Sequence, residues 1–205
     1  MKIILASKSP RRKQLMNILN IPYSIIPSTI DESTISSNGK SSSYYCQLLA
    51  SMKSAELSSQ HPDAIIIGGD TIVVIDERIL EKPKNTIEAI TMLKALSGKT
   101  HQVYTGISIQ CKSKNIECTF SEKTSVTFHD LPEKDIIYYV NSYLPFDKAG
   151  GYGIQDWSAL FVTKIDGCFY NVVGFPISRI YKELKNLKDN KIFLGNLLKT
   201  KLKTS

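Results

Sequence analysis

The stretch Lys2-Ile-Ile-Leu-Ala-Ser7-Lys8-Ser9-Pro10-Arg11-Arg12 decides how the chain begins to fold. Ile3 to Ala6 is a short apolar run of the kind that forms a buried strand. Ser9-Pro10 supplies an N-cap and then a proline at the first helical position, where its missing N–H costs nothing. A strand therefore feeds a polar turn, and the turn opens a helix. Unpaired N–H groups gather at the start of that helix, and Ser7, Lys8, Ser9, Arg11 and Arg12 crowd the same spot. This composition suits an anion, and phosphate above all, because arginine forks match its oxygens. The same residues also suit an ordinary strand–helix corner with solvated cations, since no glycine-rich phosphate loop is present.

Working outward, the first helix is expected to run from Pro10 to about Leu19, with Leu15, Ile18 and Leu19 on one face, until Ile21-Pro22 ends it. Tyr23 to Ile26 begins a second strand. The Ser-rich stretch from Ser28 to Ser43 reads as a mobile loop carrying Asp31-Glu32. A second helix, roughly Ser43 to Ser59, sets Tyr45, Leu48, Leu49, Met52 and Ala55 at helical spacing, with Lys53 beside that stripe. Ala64 to Gly69 and Ile72 to Ile75 are apolar runs that flank Asp70. A carboxylate there needs a cation, a metal or hydrogen-bond donors if buried, and is an exposed turn residue if the two runs form a hairpin. Further along, Thr86 caps a helix that ends at Ser97-Gly98. Thr100 to Cys111 and Glu117 to Phe128 form an antiparallel hairpin. A helix follows from Leu131-Pro132-Glu133 to about Tyr143, and then a glycine-rich loop with a charged centre, Pro145 to Gln155. Leu160 to Ile165 and Asn171 to Val173 are expected as strands, and Pro176 opens a last helix to about Leu187.

Composition bounds the rest. The chain has 205 residues, 42% of them hydrophobic and 22% charged, which fits a soluble α/β body with a sizeable core. Its formal net charge is +7, but seven lysines against Glu183 and Asp189 after Tyr181 leave the body nearly neutral. The basic pI is thus a tail property and argues little for nucleic-acid binding. The expected organisation is a single domain over residues 1–187 and a basic amphipathic tail over 188–205, where Leu194, Leu197, Leu198 and Leu202 recur at helical spacing. Cys46, Cys111, Cys118 and Cys168 have no metal-ligand spacing and read as free thiols. His61, His101 and His129 form no zinc pattern and read as structural or surface residues. No apolar run approaches the roughly 20 residues of a membrane span, and no secretory signal is visible, so a cytoplasmic protein is expected.

Taken together, Leu5-Ala-Ser-Lys-Ser-Pro-Arg-Arg12, Ile30-Asp-Glu32, Lys53, Gly69-Asp-Thr71, Lys82-Pro83, Leu96-Ser-Gly-Lys-Thr-His-Gln-Val-Tyr-Thr-Gly106, Asp147-Lys-Ala-Gly-Gly-Tyr-Gly-Ile-Gln155 and Asn171-Val-Val-Gly-Phe-Pro176 resemble the Maf family, over roughly Lys2 to Lys182. The resemblance implies an elongated, forked mixed β-sheet with flanking helices and a central cleft, as in inosine triphosphatases. It implies a nucleoside triphosphate pyrophosphatase that uses Mg²⁺ or Mn²⁺ and cleaves between the α- and β-phosphates. The double arginine and the loop ending in Gln155 are similar to the branch acting on dTTP and UTP. Carried over by position, Asp70 is the catalytic acceptor and Arg11, Thr71 and Gln155 are specificity positions. Ser7, Arg12, Glu32, Lys53 and Lys82 fall on the remaining cleft positions. Met52 stands where relatives often have Glu, Asp156-Trp157-Ser158 where they often have glycines, and Phe175 where Leu is common.

The residue chemistry agrees with that implication. A triphosphate brings about four negative charges, which Arg11, Arg12, Lys53, Lys82 and a metal can share. Mg²⁺ takes one or two carboxylates plus phosphate oxygens, and Glu32 and Asp70 are the carboxylates on offer. The competing readings are a nucleotide-sensing regulator of cell division without essential catalysis, the role after which the family was named, and a nucleic-acid binder using the tail. The sequence leaves a homodimeric assembly open.

Overall fold

The computed structural model describes residues 1–187; the expected amphipathic tail at 188–205 lies outside the described residues. Strand β1 (Ile3–Ala6) pairs in parallel with β2 (Ser24–Ile25) on one side and with β3 (Ile65–Ile75) on the other. Beyond β3 the sheet is antiparallel, through β5 (Thr100–Cys111), β6 (Ile116–Phe128) and β7 (Val162–Asp166). The short β4 (Arg78–Leu80) also pairs with β3, making a seven-stranded mixed sheet.

One edge of β3 explains the fork. Its first half carries β1, with register ending at Ala6 opposite Gly68. Its last residues carry β4, with register beginning at Val73 opposite Leu80. Gly69 to Ile72 lie between these two partners and, among the described residues, pair only with β5 on the opposite edge. The sheet is open at that gap, and Asp70-Thr71 sit in it.

Asp70 therefore lies inside one continuous buried strand, not at a hairpin turn. Because side chains alternate along a strand, Asp70 faces the same way as Ile66, Ile72 and Val74, toward helix α2 (Ser42–Gln60), while Thr71 faces with Ile67 and Val73 toward the main core. Helices α1 (Pro10–Ile18), α3 (Thr86–Leu96), α4 (Glu133–Tyr143) and α6 (Ile177–Asn186) bury residues in that main core.

Four expectations need correcting. In α1 the buried residues are Leu15 and Met16, followed by Leu19, whereas Ile18 is exposed. In α2, Leu48 and Met52 are only half-buried and Ala55 is exposed. The residues turned to the sheet include Cys46, Ala50 and Ser54, and they are small for a reason. A Cβ on Gly106 would come within 2.2 Å of the Cys46 carbonyl oxygen, and one on Gly68 within 2.5 Å of that of Ala50. Helix backbone lies directly on sheet backbone there, so only small side chains fit. Residues Asn171–Val173 are helical, within α5 (Phe169–Val173), not a strand. The buried Asn171 amide donates to the Val103 carbonyl and to Thr124 Oγ1, and Gly174 closes the turn at φ 106°. Tertiary hydrogen bonds override the β propensity of two valines. Finally, Trp157–Phe161 is a 3₁₀ turn capped by Asp156, and the strand begins only at Val162. All four cysteines are free thiols. No helix among the described residues is long and apolar enough to cross a membrane.

Candidate active site

At the fork the β1–α1 turn, the segment 27–32, α2, β3 and the loop 147–155 surround a cleft of about 440 Å³. Every residue singled out in the sequence lines it: Ser7, Arg11, Arg12, Glu32, Lys53, Asp70, Thr71, Lys82 and Gln155.

The α2 side holds a charged triad. Lys53 is almost fully buried, and its ammonium lies 2.8 Å from Asp70 Oδ1 and 2.9 Å from Glu32 Oε1. It emerges from the helix one residue before Ser54, where the close helix–sheet contact fixes its height above β3. Glu32 is delivered by a 3₁₀ turn (Glu32–Thr34) that Asp31 caps, accepting from the Ser33 N–H. Glu56 of α2 ties the start of the Ser-rich stretch to that helix by accepting from Ser28 Oγ and the Thr29 N–H. Burial pushes the Asp70 carboxyl above the ordinary range, against the pull of Lys53 and Arg12. Burial also works against ionisation of Glu32, but Lys53, with Lys82 behind it, holds its carboxyl below the ordinary range. Two neighbouring carboxylates with opposite shifts are thus separated in proton affinity.

On the α1 side the Arg12 guanidinium lies half-buried beneath the turn. Nε donates to the Gly174 carbonyl at 2.9 Å, Nη2 to Thr71 Oγ1 at 3.1 Å and Nη1 to Ser7 Oγ at 3.4 Å. Thr71 in turn pairs with Thr105, whose hydroxyl donates to the Asn171 carbonyl. Burial lowers the Arg12 pKa, opposed by the charge of Asp70. Among the described residues none of its hydrogen-bond acceptors is charged, so its positive charge is available to an anion. Lys82 and Gln155 are exposed at the cleft mouth.

Asp147, Lys148 and Tyr152, to which the motifs assign no individual role, line the cleft too. Arg11 Nη1 donates to Asp147 Oδ2 at 2.8 Å, and Lys148 Nζ donates to Asp147 Oδ1 at 2.8 Å. The signal was present in the charged pair at the centre of the glycine-rich loop, but spacing alone does not say that the pair faces Arg11.

A divalent cation fits the carboxylate pair. One cation, the Lys53 ammonium, already bridges Glu32 and Asp70 at contact distance, and oxygen donors of this kind suit Mg²⁺ or Mn²⁺ once phosphate oxygens complete the set. Among the described residues there is no group of three or more His, Cys, Asp or Glu that could hold a metal ion.

The family model for Maf-like proteins matches residues 2–187. The chain belongs to the Maf-like family. Proteins named dTTP/UTP pyrophosphatase from Bacillus cereus and Bacillus cytotoxicus are 48% and 47% identical to it over 184 residues, spanning 90% of this chain and 94% of each relative. In fold, this Maf-like chain is similar to a HAM1 protein from Coxiella burnetii, with a TM-score of 0.50 and 15% identity over 91% of this chain and 99% of that one. That likeness concerns the forked sheet and its helices, and it agrees with the architecture expected from the motifs.

Proposed function

We propose that this Maf-like protein hydrolyses nucleoside triphosphates, dTTP and UTP in preference, to the monophosphate and pyrophosphate. The observation that carries the reading is the Glu32–Lys53–Asp70 triad facing, across one cleft, the half-buried Arg12, whose hydrogen bonds go to neutral oxygens. In this reading Arg12 and Lys82 hold the triphosphate, with the Ser7 hydroxyl beside them, and Gln155 offers a donor and an acceptor to the edge of a pyrimidine. Mg²⁺ or Mn²⁺, held by Glu32 and Asp70, would supply further neutralisation of phosphate charge.

Hydrolysis forms a bond from a water oxygen to the α-phosphorus as the bond to the bridging oxygen breaks and pyrophosphate leaves. Asp70 accepts the water proton. Lys53 keeps Asp70 in place through the transfer and offsets the charge of Glu32.

A pyrophosphate-release screen over canonical and modified triphosphates, with Mg²⁺ and with Mn²⁺, tests the proposal. Turnover should be highest with dTTP and UTP. Asp70→Asn should lower kcat by a factor of about 10³ or more, with an unchanged circular dichroism spectrum. Near-normal turnover in that variant would remove Asp70 from the chemistry.

A further inference from the structure

Two arginines stand side by side at the start of α1 and meet different partners. Arg12 spends its donors on neutral oxygens, whereas Arg11 is bound to a carboxylate on the far wall of the cleft. Its Nη1 reaches Asp147 Oδ2 at 2.8 Å and its Nη2 the Asp147 carbonyl at 3.3 Å, so side chain and backbone of one residue grip both ends of the guanidinium.

Asp147 is itself braced. Its other oxygen accepts from Lys148, and the Lys148 ammonium also lies 3.8 Å from Asp156 Oδ2. The Lys148 stem runs over Gly153, where a Cβ would come within 2.8 Å of Lys148 Cε. Asp156 accepts from the Ser158 N–H and hydroxyl, and its Oδ2 from the Tyr139 hydroxyl, and Tyr139 is fully buried. Arg11 is thereby tied, through Asp147, Lys148 and Asp156, to the loop that carries Gln155. Asp156 is one of the residues at which this chain departs from the family pattern.

We infer that Asp147 is a positioning residue for substrate selection, which holds Arg11 at the nucleobase end of the cleft beside the Gln155 loop and withholds it from the triphosphate. The inference rests on the reading of the cleft as a nucleoside triphosphate site. Its physical basis is competition: a guanidinium already neutralised by a carboxylate attracts phosphate less than Arg12 and Lys82 do, and it keeps an orientation that a free arginine lacks. Without Asp147, Arg11 becomes an additional phosphate ligand.

The test measures binding by calorimetry, using α,β-methylene analogues of UTP and GTP and inorganic pyrophosphate, in the presence of Mg²⁺. Asp147→Asn should lower the preference for the UTP analogue over the GTP analogue by about three- to fivefold, as expected for a partly exposed pair, and should tighten pyrophosphate binding. Asp147→Glu should recover most of the preference. In an Arg11→Ala background, Asp147→Asn should leave the preference unchanged, because the effect runs through Arg11. An unchanged preference in the single variant, an equal weakening of all three ligands, or full additivity in the double variant would each overturn the inference. Failure of the wild type to release pyrophosphate from any nucleotide would instead sink the hydrolase reading, while the calorimetric comparison would still decide the role of Asp147.

Discussion

At the scale of single residues, burial and charge decide what each group can do. Arg12 is a structural tie as well as an anion ligand, since it joins α1 to Thr71 of β3 and to the Gly174 carbonyl after α5. His101 is a buried group with a definite consequence. It is fully enclosed on β5, with Nε2 2.8 Å from the Tyr152 hydroxyl and its ring edge-on to Phe128 and Tyr152. Tyr152 lines the cleft, so His101 supports its wall from behind. Burial pushes the His101 pKa down from 6.5 to about 4. Its folded value is depressed, so the unfolded chain takes up the proton first as the pH falls. Stability from neutral His101 is therefore complete above about pH 6.5 and is lost progressively toward pH 4, by up to about 3 kcal/mol. Urea unfolding at pH 7 and pH 4.5 should show a larger drop for the wild type than for His101→Phe, which has no group to titrate. Equal drops would mean that His101 does not set the acid sensitivity.

At the scale of elements, the contact between α2 and the sheet positions the triad. A helix lying on Gly68 and Gly106 can approach closely enough for Lys53 to reach Asp70 in the sheet gap. Gly106→Ala would place a methyl group 2.2 Å from the Cys46 carbonyl oxygen, which is backbone and cannot swing aside. The helix must then lift, costing about 1–3 kcal/mol of stability and moving Lys53 away from Asp70. Urea denaturation and pyrophosphate release should both register the change. Wild-type stability together with wild-type turnover would show that the contact is looser than its geometry indicates. This element also marks where sequence reading reaches its limit. Helical spacing found α2 and placed Lys53 beside its buried face, but it favoured Leu48 and Met52 over Cys46, Ala50 and Ser54. Hydrophobicity ranks residues by size, whereas the sheet glycines select small ones. The Gly-Gly-Asp run in β3 likewise left strand and turn undecided, because the missing edge partner that makes room for Asp70 is a property of β1 and β4, not of β3.

At the scale of the whole molecule, the order of motifs carried the fold and most of the cleft lining, since Ser7 through Gln155 converge at a single opening in the sheet. What it could not convey was pairing across the opening, as between Arg11 and Asp147, because nothing local in the sequence records which wall a loop faces. The chain's charge is distributed differently from its site. Five lysines and one aspartate from Lys188 to Ser205 account for four of the seven net positive charges, yet the whole family match falls within residues 2–187. The charge of the tail adds to the field around the protein, which is screened within about 8 Å at physiological salt, and we propose that the site needs no residue after Leu187. A protein ending at Leu187 should keep its melting temperature and hydrolyse dTTP with kcat/KM within about twofold of the full chain at 0.15 M salt, the difference widening only as salt is lowered. Pyrophosphate release by the two proteins over a salt series checks this. A loss of more than about tenfold that persists at high salt, with the melting temperature unchanged, would overturn the assignment of the complete site to residues 1–187.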